Sequence, residues 1–312
     1  MPRELLPGQR SELWILDVES GQSHLRWTSS EVLIEAPNWT KDGRLIVNAD
    51  GKLFALAADG DDDLVHLPTH GLDDLNNDHV LDPDGRHIVV SDSGTRHIHR
   101  VDLESGEQVQ LTGHDDGLFH FLHGVSPDGS EIAWVGLSVV GPEWTPENIR
   151  TNLYASAIAE ADAAARAEGQ SPGRRQLTDD AFADDGPEFS PDGEWIWFNS
   201  ERRADTDDAP AAPGHAQIFR MPATGGHPTQ LTFDERVNWF PHLSPSGCRL
   251  VYISFPPGTL GHPENKDVIL RELFFDGGYR DLVHLPGGQG TINVNSWSPD
   301  SKRIAYVAYP FT

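Results

Sequence analysis

The chain has 312 residues and a mass of 34.4 kDa, with 37% hydrophobic, 9% aromatic and 23% charged residues, a composition that excludes a disordered chain and supplies a large core. Lys and Arg number 23 against 49 Asp and Glu, so the net charge is −26, which opposes any sequence-independent grip on nucleic-acid phosphates. No run of about 18 apolar residues marks a membrane span, no signal-like apolar stretch of about 7–15 residues follows Met1, and the lone Cys248 suits a reducing compartment, so a cytoplasmic protein without a membrane partner is expected.

In chain order, the first element is an outer-strand text at 13–28, with the strand and turn Leu16-Asp17-Val18-Glu19-Ser20-Gly21 within it. A turn text then recurs: Trp39-Thr40-Lys41-Asp42-Gly43, Leu81-Asp82-Pro83-Asp84-Gly85, Val125-Ser126-Pro127-Asp128-Gly129, Phe189-Ser190-Pro191-Asp192-Gly193, Leu243-Ser244-Pro245-Ser246-Gly247 and Trp297-Ser298-Pro299-Asp300-Ser301. The copies are spaced by 42, 44, 64, 54 and 54 residues, near the roughly 40–50-residue period of a four-stranded propeller blade once loops are inserted. Asp-Gly supplies the positive φ of a tight hairpin and the preceding Pro presets its entrance, so these acids have a structural role. Closing strands read Gln-Leu-Thr at 110–112, 176–178 and 230–232, and Leu-Val-His-Leu-Pro at 64–68 and 282–286.

The chain starts with outer strands and ends with the inner hairpin text Ile304 to Tyr309, so the two ends are expected to complete one blade and leave no open sheet edge. The predicted fold is all-β: one domain over 1–312, a six-bladed β-propeller of four-stranded antiparallel blades. Two departures stand out. The Ala-rich stretch 158–168 followed by Gly169 predicts a short surface helix inserted in the third blade, and the acidic stretch 204–215 predicts a loop at the rim of the fourth.

The inner strand of each blade begins near the central axis, so residues just upstream of each turn copy should meet around one funnel. The first blade offers Glu35 and Asn38, the second Asn77, Asp78 and His79, and the third His120 and His123. The fourth offers Asp184, Asp185 and Glu188, the fifth Asn238, Trp239 and His242, and the sixth Gln289, Asn293 and Asn295. Imidazole and carboxylate groups are both divalent-metal ligands and acid–base groups. Asp78 and His79 are expected to be a proton-transferring pair and His123 a base or ligand. Asn77, His120, Asp185, Glu188, Asn238, Asn293 and Asn295 would bind the ligand, and Trp239 or Trp144 would stack on a sugar ring. Trp195 and Trp197 are expected in blade-to-blade packing, Arg202 as a tie between neighbouring blades, and His97 and His99 facing solvent.

Three remaining patterns divide. Asp59-Gly60-Asp61-Asp62-Asp63 fails as a calcium loop, because Leu64 and His70 stand where Gly and Glu are required. Residues 256–267 form a long loop, with His262, Lys266 and Asp267, expected to cover a funnel mouth. Gly287-Gly288-Gln289-Gly290 permits a close backbone approach to a ligand, without the following helix that phosphate cradling needs.

Taken together, Phe189-Ser190-Pro191-Asp192-Gly193, Phe198-Asn199-Ser200-Glu201-Arg202 and Ile218-Phe219-Arg220-Met221 resemble the repeats of the TolB-like propeller superfamily, and the resemblance runs from 13 to 309. That superfamily contains the TolB translocation protein, the propeller halves of prolyl-oligopeptidase-type peptidases and the oligogalacturonate lyases. No Gly-x-Ser-x-Gly elbow is present to serve a peptidase reaction. Resemblance to the lyases implies a Mn-type ion held by His residues and a Gln, matched here by His242 and Gln289. Asn293 and Asn295 stand where that pattern has a His pair, which shifts a metal toward His79, His123 and His242. The expected cofactor is a divalent metal (Mn, Zn or Ca) and no organic group, and the expected ligand is a carbohydrate or sugar acid taken through proton abstraction and elimination. The alternative is a protein-binding scaffold that uses a propeller face, as TolB does.

Overall fold

The hairpins that the turn text predicts are the unit of the fold in the computed structural model, which describes residues 3–113, 117–141, 148–158, 173–202 and 213–311. In blade one, β3 (Glu35–Trp39), β4 (Arg44–Ala49), β5 (Lys52–Ala57) and β6 (Val65–His66) pair in sequence order. Blade two contains β7 (Leu75–Leu81), β8 (His87–Asp92), β9 (His97–Asp102) and β10 (Gln108–Gln110), and blade three β11 (Phe119–Val125), β12 (Glu131–Val139), β13 (Ile149–Ala157) and β14 (Arg175–Gln176). Blade four is β15 (Asp184–Phe189), β16 (Trp195–Ser200), β17 (Gln217–Pro222) and β18 (Thr229–Gln230). Blade five is β19 (Val237–Leu243), β20 (Leu250–Phe255), β21 (Lys266–Leu273) and β22 (Tyr279–Gly287).

The ends of the chain close the ring. Strand β1 (Ser11–Asp17) pairs with β2 (Gln22–Ser29) on one side and with β23 (Arg303–Ala308) on the other. Segment 291–297 lies along β23 as the irregular inner strand, through the Trp297–Ile304 bridge and the hydrogen bond from Val307 N–H to the Thr291 carbonyl, 3.2 Å. Every pairing is antiparallel, and no helix occurs among the described residues. All but the first residue of the helix expected at 158–168 and most of the acidic loop at 204–215 lie outside the described residues, as does Trp144.

Alternation along the strands builds the core. On β4, Ile46 packs toward blade two with Ile88 and Val90, whereas Leu45 and Val47 pack toward the closing blade with Ile15 and Val307. Successive side chains face opposite sides of a sheet, so each blade contributes to the two clusters beside it. Six such clusters occupy the six blade junctions. Trp197 lies with Leu250 and Tyr252 of blade five, as the blade-packing expectation requires. The turn acids behave structurally as expected: Ser126 Oγ donates to Asp128 Oδ1 at 2.7 Å, and that bond, with those from Ser130, lowers the Asp128 pKa to about 2.

Arg202 ties its own blade, not two neighbours, by donating to Asp184 at 2.7 Å and to Asp180 at 3.1 Å in the segment leading into β15. His97 and His99 are buried instead of facing solvent: His97 stacks on His120 of blade three, and His99 is held between the Thr95 and Gln108 side chains.

Candidate functional site

The inner strands bulge where they reach the axis. Register shifts fall between Glu35 and Asn38, Leu75 and His79, Leu122 and Gly124, Asp185 and Glu188, and Trp239 and His242. A bulge breaks the strict in–out alternation and re-aims side chains. Ala36 and Phe240 accordingly sit at φ 54° and 52°, and Gly186 at 62°. For a residue as bulky as Phe240 this conformation is strained, and such strain concentrates at functional sites.

The first cluster is built from titratable groups. His123 Nε2 lies 3.1 Å from Asp185 Oδ1, and the His123 ring stacks on Phe240 at 5.7 Å. Burial works against the charged imidazole, but the Asp78 charge and the Asp185 contact outweigh it and hold the His123 pKa above the usual histidine value. Burial raises Asp78, against the pull of His123, while Asp185, although buried, is lowered by its bond to His123. His262 from the 256–265 loop adds positive potential to both acids and packs on Trp239 and Phe240, with centroids at 4.5 and 5.0 Å.

Amides join this cluster to the ring's closing blade. Asn77 Oδ1 accepts from Gln289 Nε2 at 3.1 Å, Asn293 Nδ2 donates to Gln289 Oε1 at 3.0 Å, and His262 Nδ1 also contacts Gln289 Oε1. Arg3 lies 4.1 Å over the Tyr309 ring and donates to the Gln289 carbonyl at 2.6 Å and to Glu35 at 3.2 Å. Burial raises Glu35 despite that arginine. Of these residues Arg3, Glu35, Asn77 and Gln289 line a cavity of about 430 Å³, with Asn76 and Glu264 among others. The loop expected at the funnel mouth thus reaches the cavity through Glu264, while His262 contacts Gln289, which lines it.

Other expected site residues are held in the walls. His242 contacts Glu188 through Nδ1 at 2.6 Å and the Ile292 carbonyl through Nε2 at 2.7 Å. Glu188 Oε1 accepts from Leu243 N–H at 3.0 Å and from Asn295 Nδ2 at 2.8 Å. Asn238 Nδ2 faces Gln217, Thr232 and Asp234, and its Oδ1 accepts from Ser254 Oγ at 2.7 Å. His120 faces His97 at 3.1 Å and stands edge-on to Trp134. His79 is not paired with Asp78: it turns toward the Ile46 and Ala36 backbone, neither nitrogen reaches hydrogen-bond geometry, and burial lowers its pKa to about 4.

The residues present do not fit the expected metal. Both His242 nitrogens face oxygen acceptors, Gln289 belongs to a different network, and among the described residues no three His, Cys, Asp or Glu side chains form a group able to hold an ion. The Gly287–Gly290 stretch serves an internal approach: a Cβ on Gly290, at φ 87°, would meet Glu35 Oε1 at 2.5 Å and the Tyr309 hydroxyl. Sequence reasoning missed Arg3, because a lone arginine near the start of a chain carries no motif, and it placed His262 in a covering loop without linking it to Asp78 and Asp185.

Known proteins match the whole ring. An uncharacterised protein of Agrobacterium fabrum (strain C58) is 32% identical over 305 residues, covering 96% of this chain and 92% of the relative. A solved TolB-assigned structure from Agrobacterium tumefaciens, also 32% identical, superposes with a TM-score of 0.81 over 97% of this chain and 99% of the other. An oligogalacturonate lyase in complex with manganese shares the fold at 16% identity and a TM-score of 0.55, over 92% of this chain and 75% of the lyase. No protein-family model matches the chain.

Proposed function

We propose that this chain, which belongs to the TolB-like β-propeller family, binds a small polyhydroxylated ligand, a carbohydrate or sugar acid, at the axial end of the 430 Å³ cavity. The reading rests on one observation: Asp78, His123, Asp185 and His262, from three blades and a loop, share one electrostatic environment beside the amides Asn77, Asn293 and Gln289. The cluster lies behind the cavity wall and meets the cavity through Asn77 and Gln289, which line it, and polar groups converging on a concave site are the general mark of small-ligand binding. Hydroxyls both donate and accept, and so match a mixed ring of amides, carboxylates and imidazoles. Arg3 at the rim supplies a cation for an acidic substituent.

His123 and Asp185 are the pair suited to moving a proton, since the imidazole is hydrogen-bonded to an ionised carboxylate and retains its proton above the usual histidine range. A metal plays no step in this reading. The test is calorimetric titration with neutral monosaccharides, uronic acids and aldonic acids. Saturable one-to-one binding that drops at least about tenfold in Asp78→Asn and His123→Gln supports the site. Absence of binding across the panel, with a protein captured through the propeller face and insensitive to both substitutions, would replace it by the scaffold reading.

A further inference from the structure

A second pocket, of about 280 Å³, opens at the junction of blades four and five, on the side of the turn text. It is lined by Ser190, Trp195, Trp197, Arg220 and Phe275 among others, and by the Asp192 carboxylate, which is turned to Ser190 Oγ and the Glu194 N–H. Trp197 on β16 and Arg220 on β17 are direct cross-strand partners, so both face blade five. The Arg220 guanidinium lies 4.4 Å over the Trp195 ring and 5.4 Å from the Trp197 ring. Phe275 packs beside Trp197 at 5.8 Å and remains 55% exposed.

Two donors here have no acceptor among the described residues. Arg220 Nε and Trp197 Nε1 are buried atoms without a hydrogen-bond partner, and no ion pair of Arg220 occurs among the described residues. A buried donor left unpaired forfeits its hydration without a replacement bond, so a pair of them is an unmet demand for an acceptor.

The repeat itself supplies the comparison. Arg100 occupies the same place in blade two, opposite Val89 as Arg220 is opposite Trp197. Arg100 is neutralised by Asp82 at 2.8 Å and Asp84 at 2.8 Å, both from the turn text. In blade four the counterpart of Asp82 is Ser190, and the counterpart of Asp84, Asp192, accepts instead from Ser190 Oγ at 2.5 Å and from Glu194 N–H at 3.0 Å. One blade thus fills the arginine's valence internally and the other leaves it open, in a protein whose net charge is −26. A stacked guanidinium keeps its N–H edge free for a carboxylate, and the aromatic walls favour an apolar body.

We propose that this pocket binds a small aromatic carboxylate, with the carboxylate accepting from Arg220 and Trp197 Nε1 and the ring lying against Trp195 and Phe275. It is separate from the axial site and independent of any ligand there.

The probes are phenylacetate and its neutral isostere phenylacetamide, titrated against the full chain by calorimetry and ligand-observed NMR. Phenylacetate is expected to bind one-to-one, at least about tenfold more tightly than phenylacetamide, and Arg220→Gln to weaken it by a similar factor. Ser190→Asp, which gives blade four the carboxylate that blade two already has, is expected to abolish binding while the melting temperature holds or rises. That second variant keeps the test decisive if Arg220→Gln fails to fold. No saturable phenylacetate binding at 10 mM on the order of a weak site's Kd, equal binding of the amide, or binding that survives Ser190→Asp would overturn the proposal.

Discussion

His123 Nε2 approaches Asp185 Oδ1 to 3.1 Å across the junction of blades three and four, and Asp78 of blade two adds its charge to the same imidazole. Three blades must therefore be in place before the proton on His123 is held. Because the folded pKa is raised, the folded state binds more protons than the unfolded state above the unfolded value of about 6.5. The associated stability is complete below that value and is lost as pH rises through the folded pKa. Urea unfolding between pH 6 and 9 is expected to show this decline in the wild type and a flatter profile in Asp185→Asn. An unchanged slope in the variant would separate the two groups.

His79 has the opposite sign. Its folded pKa of about 4 lies below the unfolded value of about 6.5, so between these limits the unfolded chain takes up a proton that the buried ring refuses. Stability falls on acidification, by about 1.4 kcal/mol per pH unit for one full proton. His79→Leu, which keeps a buried apolar volume, is expected to flatten the acid limb of the stability curve. A limb as steep as that of the wild type would place the responsible proton elsewhere.

The ring was legible in the sequence because its cause is local and repeated. Each Asp-Gly turn fixes a hairpin, alternation fixes which face meets which neighbour, and the outer strands ahead of the first turn text point to a shared closing blade. The site was legible only in part. Strand position put Asp78, His123 and Asp185 near the axis, but which way each side chain points depends on bulges at Ala36, Gly186 and Phe240, of which only Gly186 carries a residue type that signals a bulge. One residue of slip exchanges the faces, which is why His79 and His242 sit in the walls, against backbone and Glu188. Arg3 and His262 arrive from segments outside the repeat and could not be aligned with it.

Gly290 shows how tightly the cavity edge is built. At φ 87° an alanine is already strained, and its Cβ would press on the Glu35 carboxylate and the Tyr309 hydroxyl, which donates to the Ile34 carbonyl at 2.9 Å. Gly290→Ala is expected to cost about 2–4 kcal/mol in denaturant unfolding and to displace Glu35 from Arg3. Equal loss of axial ligand binding and stability would trace both effects to this contact. A variant of unchanged stability would show that the loop relaxes freely.

Closure by β1 makes the sharpest demand on the fold. Leu13 and Ile15 fill the junction with blade one, Leu16 and Val18 that with blade five, and all four are fully buried. At about 1.5–3 kcal/mol for each buried side chain, their removal forfeits roughly 6–12 kcal/mol, as much as the about 5–15 kcal/mol that holds a domain folded. Deleting residues 3–29 also leaves β23 as an unpaired edge, so loss of cooperative unfolding together with aggregation is expected. A circular permutant isolates the cause. Gln9 bridges Phe311, so a short Gly/Ser linker can join the two ends and new termini can open at the exposed Gly60–Asp61 turn between β5 and β6. The permutant retains every blade junction and is expected to unfold in one transition close to that of the parent. If it instead aggregates like the deletion, the position of the chain ends, and not the pairing of β1 with β23, would be what the ring requires.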